Sequence, residues 1–144
     1  MPSKFGNAFM SWMINSPLGG MMGEGMAVIT VKGRKTGKPI STPINVMRDG
    51  EVYTIISSRE RTWWRNLRGG AEARLRSGGK TFQVNGEVFE SETDLKVKLA
   101  EFLRKQPMVA RYIKVRTTAD GSLNEADLNL AISERVLIQL KPLA

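Results

Sequence analysis

The chain has no cysteine and no histidine among its 144 residues. Without thiols it can form neither a disulfide nor a thiolate nucleophile, and without imidazole it lacks the commonest protein base. A zinc site built from these two residue types is also excluded, so we expect no metal centre. The lack of cysteine fits a reducing, cytoplasmic setting. Chemistry therefore has to come from other side chains or from a bound cofactor.

Long apolar runs and repeats are absent as well. The most apolar stretch, residues 1–25, is rich in methionine, is too short to span a membrane and lacks the layout of a signal peptide. Phe9, Trp12 and Met13 predict one face of a short helix there. We expect this segment to pack on or near the mouth of the core. The alternative is a surface for substrate or for peripheral membrane contact.

Negative charge is scarce. The chain carries 22 Lys and Arg against 14 Asp and Glu, which gives a formal net charge of +8. Such a balance favours an anionic partner, either nucleic acid, anionic lipid or a polyanionic cofactor. The cations are dispersed and no nucleic-acid motif is present, which disfavours nucleic acid. The length and the 41% content of hydrophobic residues predict a single domain over residues 1–144.

The densest group of cations lies in residues 32–38, which we call the basic turn. Gly33 and Gly37 allow a tight connection between two β-rich runs. A hairpin does not need the charges that accompany them, which are Lys32, Arg34, Lys35 and Lys38. Together with the hydroxyl of Thr36, these donors suit a phosphate or a carboxylate. The alternative is a solvated basic turn without a ligand.

Alternation and β-branched residues predict six strands, which are Ala27–Lys32, Ile40–Met47, Val52–Ser57, Ala71–Ser77, Thr81–Phe89 and Glu134–Lys141. Asp49-Gly50 and Gly78-Gly79 are typical of hairpin turns. The first three strands are too close in sequence for parallel crossovers, so we expect them to form an antiparallel meander.

Helices are predicted late in the chain. Ser91 with Asp94 forms one capping box, Pro107 opens a second helix, and Ser122 with Glu125 forms another capping box. The resulting architecture is mainly β with helical insertions, and a small antiparallel barrel fits it best.

A short helix is also predicted after Thr62. Trp63 and Trp64 are adjacent and therefore point about 100° apart on a helix. We expect one indole to pack inward and the other to cover a ring-shaped ligand or lie at the rim. The alternative is that both belong to the core.

Five short motifs occur together in a fixed order, which are Gly33-Arg34-Lys35-Thr36-Gly37, Thr42-Pro43, Asp49-Gly50, Ser57-Ser58 and Trp63-Trp64-Arg65-Asn66-Leu67. In this order they resemble the deazaflavin-dependent nitroreductase family, within the split β-barrel flavin and deazaflavin oxidoreductases. The resemblance implies a split antiparallel β-barrel of the kind that binds flavin mononucleotide (FMN). It also implies an enzyme that transfers hydride between coenzyme F420 and a small apolar, quinone-like or nitroaromatic substrate.

The resemblance further implies which residues bind the cofactor, an anionic deazaflavin with a phosphate and an oligoglutamate tail. The phosphate end of the cofactor would contact the basic turn. The ring system would lie along the residues that begin at Pro43, and the serine pair and the short helix after Thr62 would close the site. The implied cofactor residues are Arg34, Lys35, Thr36, Gly37, Pro43, Ile44, Asn45, Ser57, Ser58, Trp63, Trp64 and Asn66. Where the family's nitroreductase has a further basic residue, this chain has Ile40, and we expect Arg59 and Arg61 to replace that charge.

Hydride transfer belongs to the cofactor, so the protein has only to bind and orient. Ser57, Ser58 and Tyr112 can donate hydrogen bonds to a developing anion, and they are the predicted catalytic residues. Their alternative roles are turn formation for the serines and core packing for the tyrosine. Alternative functions are an FMN-dependent reductase and a non-catalytic relative that binds haem, lipid or another apolar ligand. The fold also suggests a homodimer.

Overall fold

A computed structural model describes residues 26–143. The expectations for the N-terminal segment, including Phe9, Trp12 and Met13, lie outside these residues. The described part contains seven strands, which are β1 (Met26–Lys32), β2 (Pro39–Asn45), β3 (Met47–Asp49), β4 (Val52–Ser58), β5 (Ala71–Ser77), β6 (Lys80–Phe89) and β7 (Arg135–Pro142). It also contains a 3₁₀ helix, which we call the tryptophan helix (Trp63–Leu67), and three α-helices, which are α1 (Glu92–Lys105), α2 (Pro107–Tyr112) and α3 (Glu125–Glu134).

The strands form one sheet in the order β2-β1-β5-β6-β7-β4-β3. Neighbouring strands pair antiparallel in β1–β2, β1–β5, β3–β4 and β5–β6. The predicted strands are confirmed, with one correction: the run Ile40–Met47 is not continuous, because β2 ends at Asn45 and a separate β3 begins at Met47.

The predicted meander of the first three strands is confirmed in part: β1 pairs antiparallel with β2, and β3 pairs antiparallel with β4, but the middle run does not join the two pairs as one continuous strand. β2 and β3 follow each other after the single residue Val46, yet they are the two edges of the sheet. Residues two positions apart cannot be separated by more than about 7 Å. The two edges therefore approach each other at Val46, and the sheet curls into a half-barrel instead of lying open.

Turn chemistry explains the two local hairpins. Gly78 and Gly79 both have positive φ, 58° and 79°, and they link Ser77 to its partner Lys80. Gly50, with φ of 62°, occupies the first position of the two-residue loop between Asp49 and Val52. Both geometries match the right-handed twist of the flanking strands, so these two predictions are confirmed.

Contacts divide the chain into two compact units. Among the described residues the first unit comprises 26–56, 62–88 and 138–143, and it contains most of the sheet. Its core follows from strand alternation: Ala27, Ile29 and Val31 of β1 are at most 2% exposed, while Thr30 between them is half-buried. Leu75 and Val84 on the neighbouring strands are fully buried. The expectation of a single domain over the whole chain stays a prediction.

The second unit comprises residues 57–61 and 89–137. Ser91 caps α1 by accepting a hydrogen bond from the Asp94 N–H at 3.2 Å, and Pro107 opens α2, as predicted. The predicted cap at Ser122 is wrong. Asn124 caps α3 instead, because its side-chain oxygen accepts from the Asp127 N–H at 2.9 Å. Either residue type can cap a helix, so the sequence pattern alone did not distinguish them.

Arg59 fastens the two segments of the second unit together. Its Nη2 lies 3.1, 2.9 and 3.2 Å from the carbonyl oxygens of Glu90, Ile132 and Arg135. Its backbone N–H donates to the Glu134 carbonyl at 2.9 Å. The Nη2 group is thus engaged by backbone acceptors, and the expectation that Arg59 supplies charge to a cofactor stays a prediction. No helix in residues 26–143 is long and apolar enough to cross a membrane.

Candidate functional site

The basic turn is a closed and well-bonded hairpin. The Gly33 N–H donates to the Lys38 carbonyl and the Gly37 N–H donates to the Gly33 carbonyl, both at 2.8 Å. Gly37 has φ of 71°, and a Cβ on Gly33 would lie within 3.1 to 3.2 Å of three atoms of the turn and β2. The glycines therefore define the backbone, and the side chains of Arg34, Lys35 and Thr36 are left exposed.

The donors of the turn suit an anion. Thr36 Oγ1 accepts from the Lys38 N–H at 3.2 Å, so its hydroxyl hydrogen can still donate to a ligand. Four cationic side chains surround it within seven residues. Charged donors form the strongest hydrogen bonds to phosphate and carboxylate oxygens. The arrangement fits the phosphate of an anionic cofactor in the chemistry of its donors.

A long-range hydrogen bond fixes the turn to the tryptophan helix. The Arg34 N–H donates to Asn66 Oδ1 at 3.0 Å, across 32 positions of sequence. Asn66 Nδ2 in turn donates to the Trp63 carbonyl at 3.0 Å. Both ends of the Asn66 amide are thus used within the protein. The structure joins Arg34 and Asn66, two of the predicted cofactor residues, by a direct hydrogen bond and gives Asn66 the geometry of a positioning residue.

Both tryptophans are buried, with 4% of Trp63 and 1% of Trp64 exposed. The expectation that one ring lies at the rim is not met, and the alternative of two core indoles describes the structure. Neither Nε1 has a hydrogen-bond partner among residues 26–143. Buried N–H groups without partners are rare, and both of these nitrogens are enclosed by the protein and not exposed to a ligand.

Two arginines that the sequence reasoning did not single out flank Trp64. The guanidinium carbons of Arg65 and Arg68 lie 5.7 and 5.1 Å from its ring centroid. These distances are within the range of cation–π contacts. The spacing of Trp64 and Arg68, four positions apart in a predicted helix, could have indicated the second contact. Both arginines are exposed, so the tryptophan helix carries positive charge at its surface.

Strand register separates the three predicted residues of β2. Ile44 pairs with Ala27 on the core side and is 6% exposed. Pro43 pairs with Val28 and is half-buried, and Asn45 is exposed. Successive strand residues point to opposite faces, so Pro43 and Asn45 share one face while Ile44 lies on the other. The three residues are therefore not presented together on one surface.

The predicted catalytic residues belong to the second unit. Ser57 is 5% exposed and its hydroxyl donates to the Ser58 carbonyl at 3.2 Å. Ser58 Oγ accepts from the Glu60 N–H at 3.4 Å. These local bonds are typical of the turn-forming alternative. Tyr112, at the end of α2, is 79% exposed and does not pack in the core.

Solved structures with this fold are found at low sequence identity. A putative pyridoxamine 5'-phosphate oxidase from Listeria innocua is 11% identical with a TM-score of 0.53, and the alignment covers 94% of each chain. HutZ, a haem storage protein from Vibrio cholerae, is also 11% identical with a TM-score of 0.53, over 88% of this chain and 87% of that one. A chain described as an F420 reductase is 20% identical, over 85% and 89%, with a TM-score of 0.45. The first two likenesses confirm the split-barrel fold. No curated protein sequence matches the chain.

A family model matches residues 10–120, which is more than half of the chain. Its description is F420H(2)-dependent quinone reductase. The match includes the basic turn and the tryptophan helix, the two elements that the Arg34–Asn66 hydrogen bond joins. The chain therefore belongs to the F420H(2)-dependent quinone reductase family, as an enzyme whose cofactor is the deazaflavin F420.

Proposed function

We propose that this F420-dependent reductase acts on a small apolar acceptor of the quinone class, with nitroaromatic compounds as secondary substrates. The family description supports the quinone class. When bound, the reduced deazaflavin supplies the hydride, and the protein contributes binding, orientation and electrostatics. A protein without cysteine or histidine is suited to such a division of roles.

In this proposal Arg34, Lys35 and Thr36 hold the cofactor phosphate. The observation that carries it is the hydrogen bond from the Arg34 N–H to Asn66 Oδ1, at 3.0 Å. A solvated turn needs no such anchor, whereas a phosphate site gains from donors that are fixed before the ligand arrives. Lys38 and Lys32 add positive charge at the same turn.

The proposal also assigns roles to residues of β2 and to the predicted catalytic residues. Pro43 and Asn45 offer one face of β2 to the cofactor, and Ile44 supports that strand from the core. The exposed hydroxyl of Tyr112 is available to an acceptor, whereas Ser57 already donates to the Ser58 carbonyl. Ser58, which is exposed and whose Oγ accepts from the Glu60 N–H, and Tyr112 therefore each keep a hydroxyl hydrogen that can donate to an acceptor.

The experiment is a binding titration of F420 and of FMN, read by tryptophan fluorescence. Each charge-assisted bond to an anion contributes roughly 1.5–3 kcal/mol, so Arg34→Ala with Lys35→Ala should weaken F420 binding by at least about tenfold. The affinity of the parent should fall with added salt, and that of the double variant should fall less. Thermal melts should stay near the parent, because the glycines define the turn.

Three results would count against the proposal. Unchanged affinity in a folded double variant would make the turn a solvated hairpin. Tighter binding of FMN than of F420 would favour the flavin alternative. Binding of F420 without reduction of any quinone by the reduced cofactor would contradict the substrate class.

A further inference from the structure

Helix α2 exposes two large apolar side chains. Met108 and Tyr112 are each 79% exposed, more than any other large hydrophobic residue in the described part of the chain. They are four positions apart and therefore lie on the same side of the helix. Ala110, on the opposite side, is 4% exposed. The helix thus packs through Ala110 and presents an apolar pair to its surroundings.

The same stretch is strongly basic. Residues 104–116 contain five cations and no acidic residue. One of them, Arg116, is engaged by Asp127 through its backbone N–H at 3.0 Å and its Nε at 2.7 Å. Arg111 is also exposed and lies beside Met108 on the same side of α2, three positions further along the helix. The remaining cations of the stretch are Arg104, Lys105 and Lys114, all exposed.

We propose that this α2 surface, formed by Met108, Tyr112 and the neighbouring cations Arg104, Lys105, Arg111 and Lys114, binds the surface of an anionic phospholipid membrane. Apolar and aromatic side chains flanked by Lys and Arg are typical of segments that lie in the membrane interface. The apolar pair enters the headgroup region, and the cations contact lipid phosphates, each adding to the attraction.

The two kinds of side chain together favour lipid over other anionic partners. Nucleic acid would use the cations, but its phosphates have no use for an exposed methionine. A stable protein interface covers about 800 Å² on each partner, far more than two side chains on a six-residue helix provide. A membrane surface accepts a small apolar anchor together with diffuse positive charge.

The test is cosedimentation of the full chain with lipid vesicles. One set contains phosphatidylcholine only, and the other contains phosphatidylcholine with phosphatidylglycerol. The protein should bind the second set and not the first, and raising the salt from about 0.1 M to about 0.5 M should release it. Binding to both sets alike, or to neither, would overturn the proposal.

Two double variants test the residues. Arg111→Gln with Lys114→Gln should lower partitioning by about thirtyfold, since each cation near an anionic surface is worth about fivefold. Met108→Ser with Tyr112→Ser should lower it by about tenfold or more at unchanged net charge. Thermal melts show whether each variant is folded, and Met108→Leu, which keeps the apolar anchor, should bind like the parent.

Matched controls change the same chemistry elsewhere. Arg74→Gln with Lys80→Gln removes two exposed cations from the first unit. Val97→Ser with Leu130→Ser removes two exposed apolar side chains from α1 and α3. Both controls should bind within about twofold of the parent. If a control loses as much binding as the α2 variants, or if the α2 variants bind like the parent, another surface contacts the lipid and the proposal is wrong.

Discussion

Asn66 is the residue whose replacement tests the proposed site most directly. Its side chain joins the Arg34 N–H to the Trp63 carbonyl through two hydrogen bonds of 3.0 Å. Asn66→Ala removes both bonds and leaves the glycine-closed turn in place. Asn66→Asp keeps an acceptor for Arg34, loses the donor to Trp63 and adds a negative charge beside the proposed phosphate site.

The expected magnitudes follow from these contacts. A hydrogen bond contributes about 0.5–1.5 kcal/mol net, so Asn66→Ala should lower the free energy of unfolding by about 1–3 kcal/mol. A turn that is no longer fixed has to be ordered when the cofactor binds, so F420 affinity should fall about tenfold. Asn66→Asp should lower the free energy of unfolding less than Asn66→Ala, because its charged carboxylate still accepts from the Arg34 N–H. It should nevertheless bind F420 more weakly than the alanine variant, because the new negative charge repels the cofactor phosphate.

The assay measures stability by urea unfolding and affinity by F420 titration at two salt concentrations. Asn129→Ala, at an exposed position of α3, is the matched control and should leave both quantities unchanged. A double-mutant cycle with Arg34→Ala and Lys35→Ala should show coupling in affinity, since the variants affect one ligand group. If Asn66→Ala binds F420 as tightly as the parent, the anchoring of the turn has no part in binding and our reasoning fails.

Three further predictions concern the fold. Arg59→Met should lower the free energy of unfolding by about 3 kcal/mol or more in urea titrations, because three backbone carbonyls lose a charged donor; a loss below about 1 kcal/mol would contradict this role. Gly86→Ala should lower the free energy of unfolding by about 1–3 kcal/mol in the same assay, because its Cβ would lie 2.9 Å from the buried Leu67 Cδ1. Combining it with Leu67→Val, which shortens the clashing side chain, should restore part of that free energy. The Asp120 carboxyl accepts hydrogen bonds from Thr118 and Ser122, which lowers its pKa from 3.8 to about 2. Its contribution to the free energy of unfolding should therefore be complete above pH 4 and be lost as the pH falls towards 2. When the free energy of unfolding is measured across this pH range, Asp120→Asn should show a smaller decrease than the parent.

The local features of the fold could be predicted from sequence, because their causes lie within a few residues. Strand alternation, the glycine turns at Gly50 and Gly78, the cap at Ser91 and the start of α2 at Pro107 are examples. The ordered motifs also predicted the family correctly. Each of these signals is carried by neighbouring side chains and by the backbone angles that they allow.

The placement of β2 and β3 at opposite edges could not be predicted in the same way. The sheet order depends on which strands pair across long separations, and no local motif encodes it. The same holds for Asn66, which meets a backbone N–H 32 positions away, and for Arg59, which contacts a carbonyl 73 positions away. Composition also failed to show that both tryptophans are buried, since indoles serve equally well at rims and in cores.

The prolines of β2 have a consequence for assembly. β2 is an edge strand of the described sheet and contains Pro39 and Pro43, which have no backbone N–H to donate. The other edge, β3, has only three residues. Short edges and prolines block the addition of a strand from another molecule, which is the usual route to sheet-mediated aggregation. A homodimer formed by adding a strand to either edge of the described sheet is accordingly disfavoured.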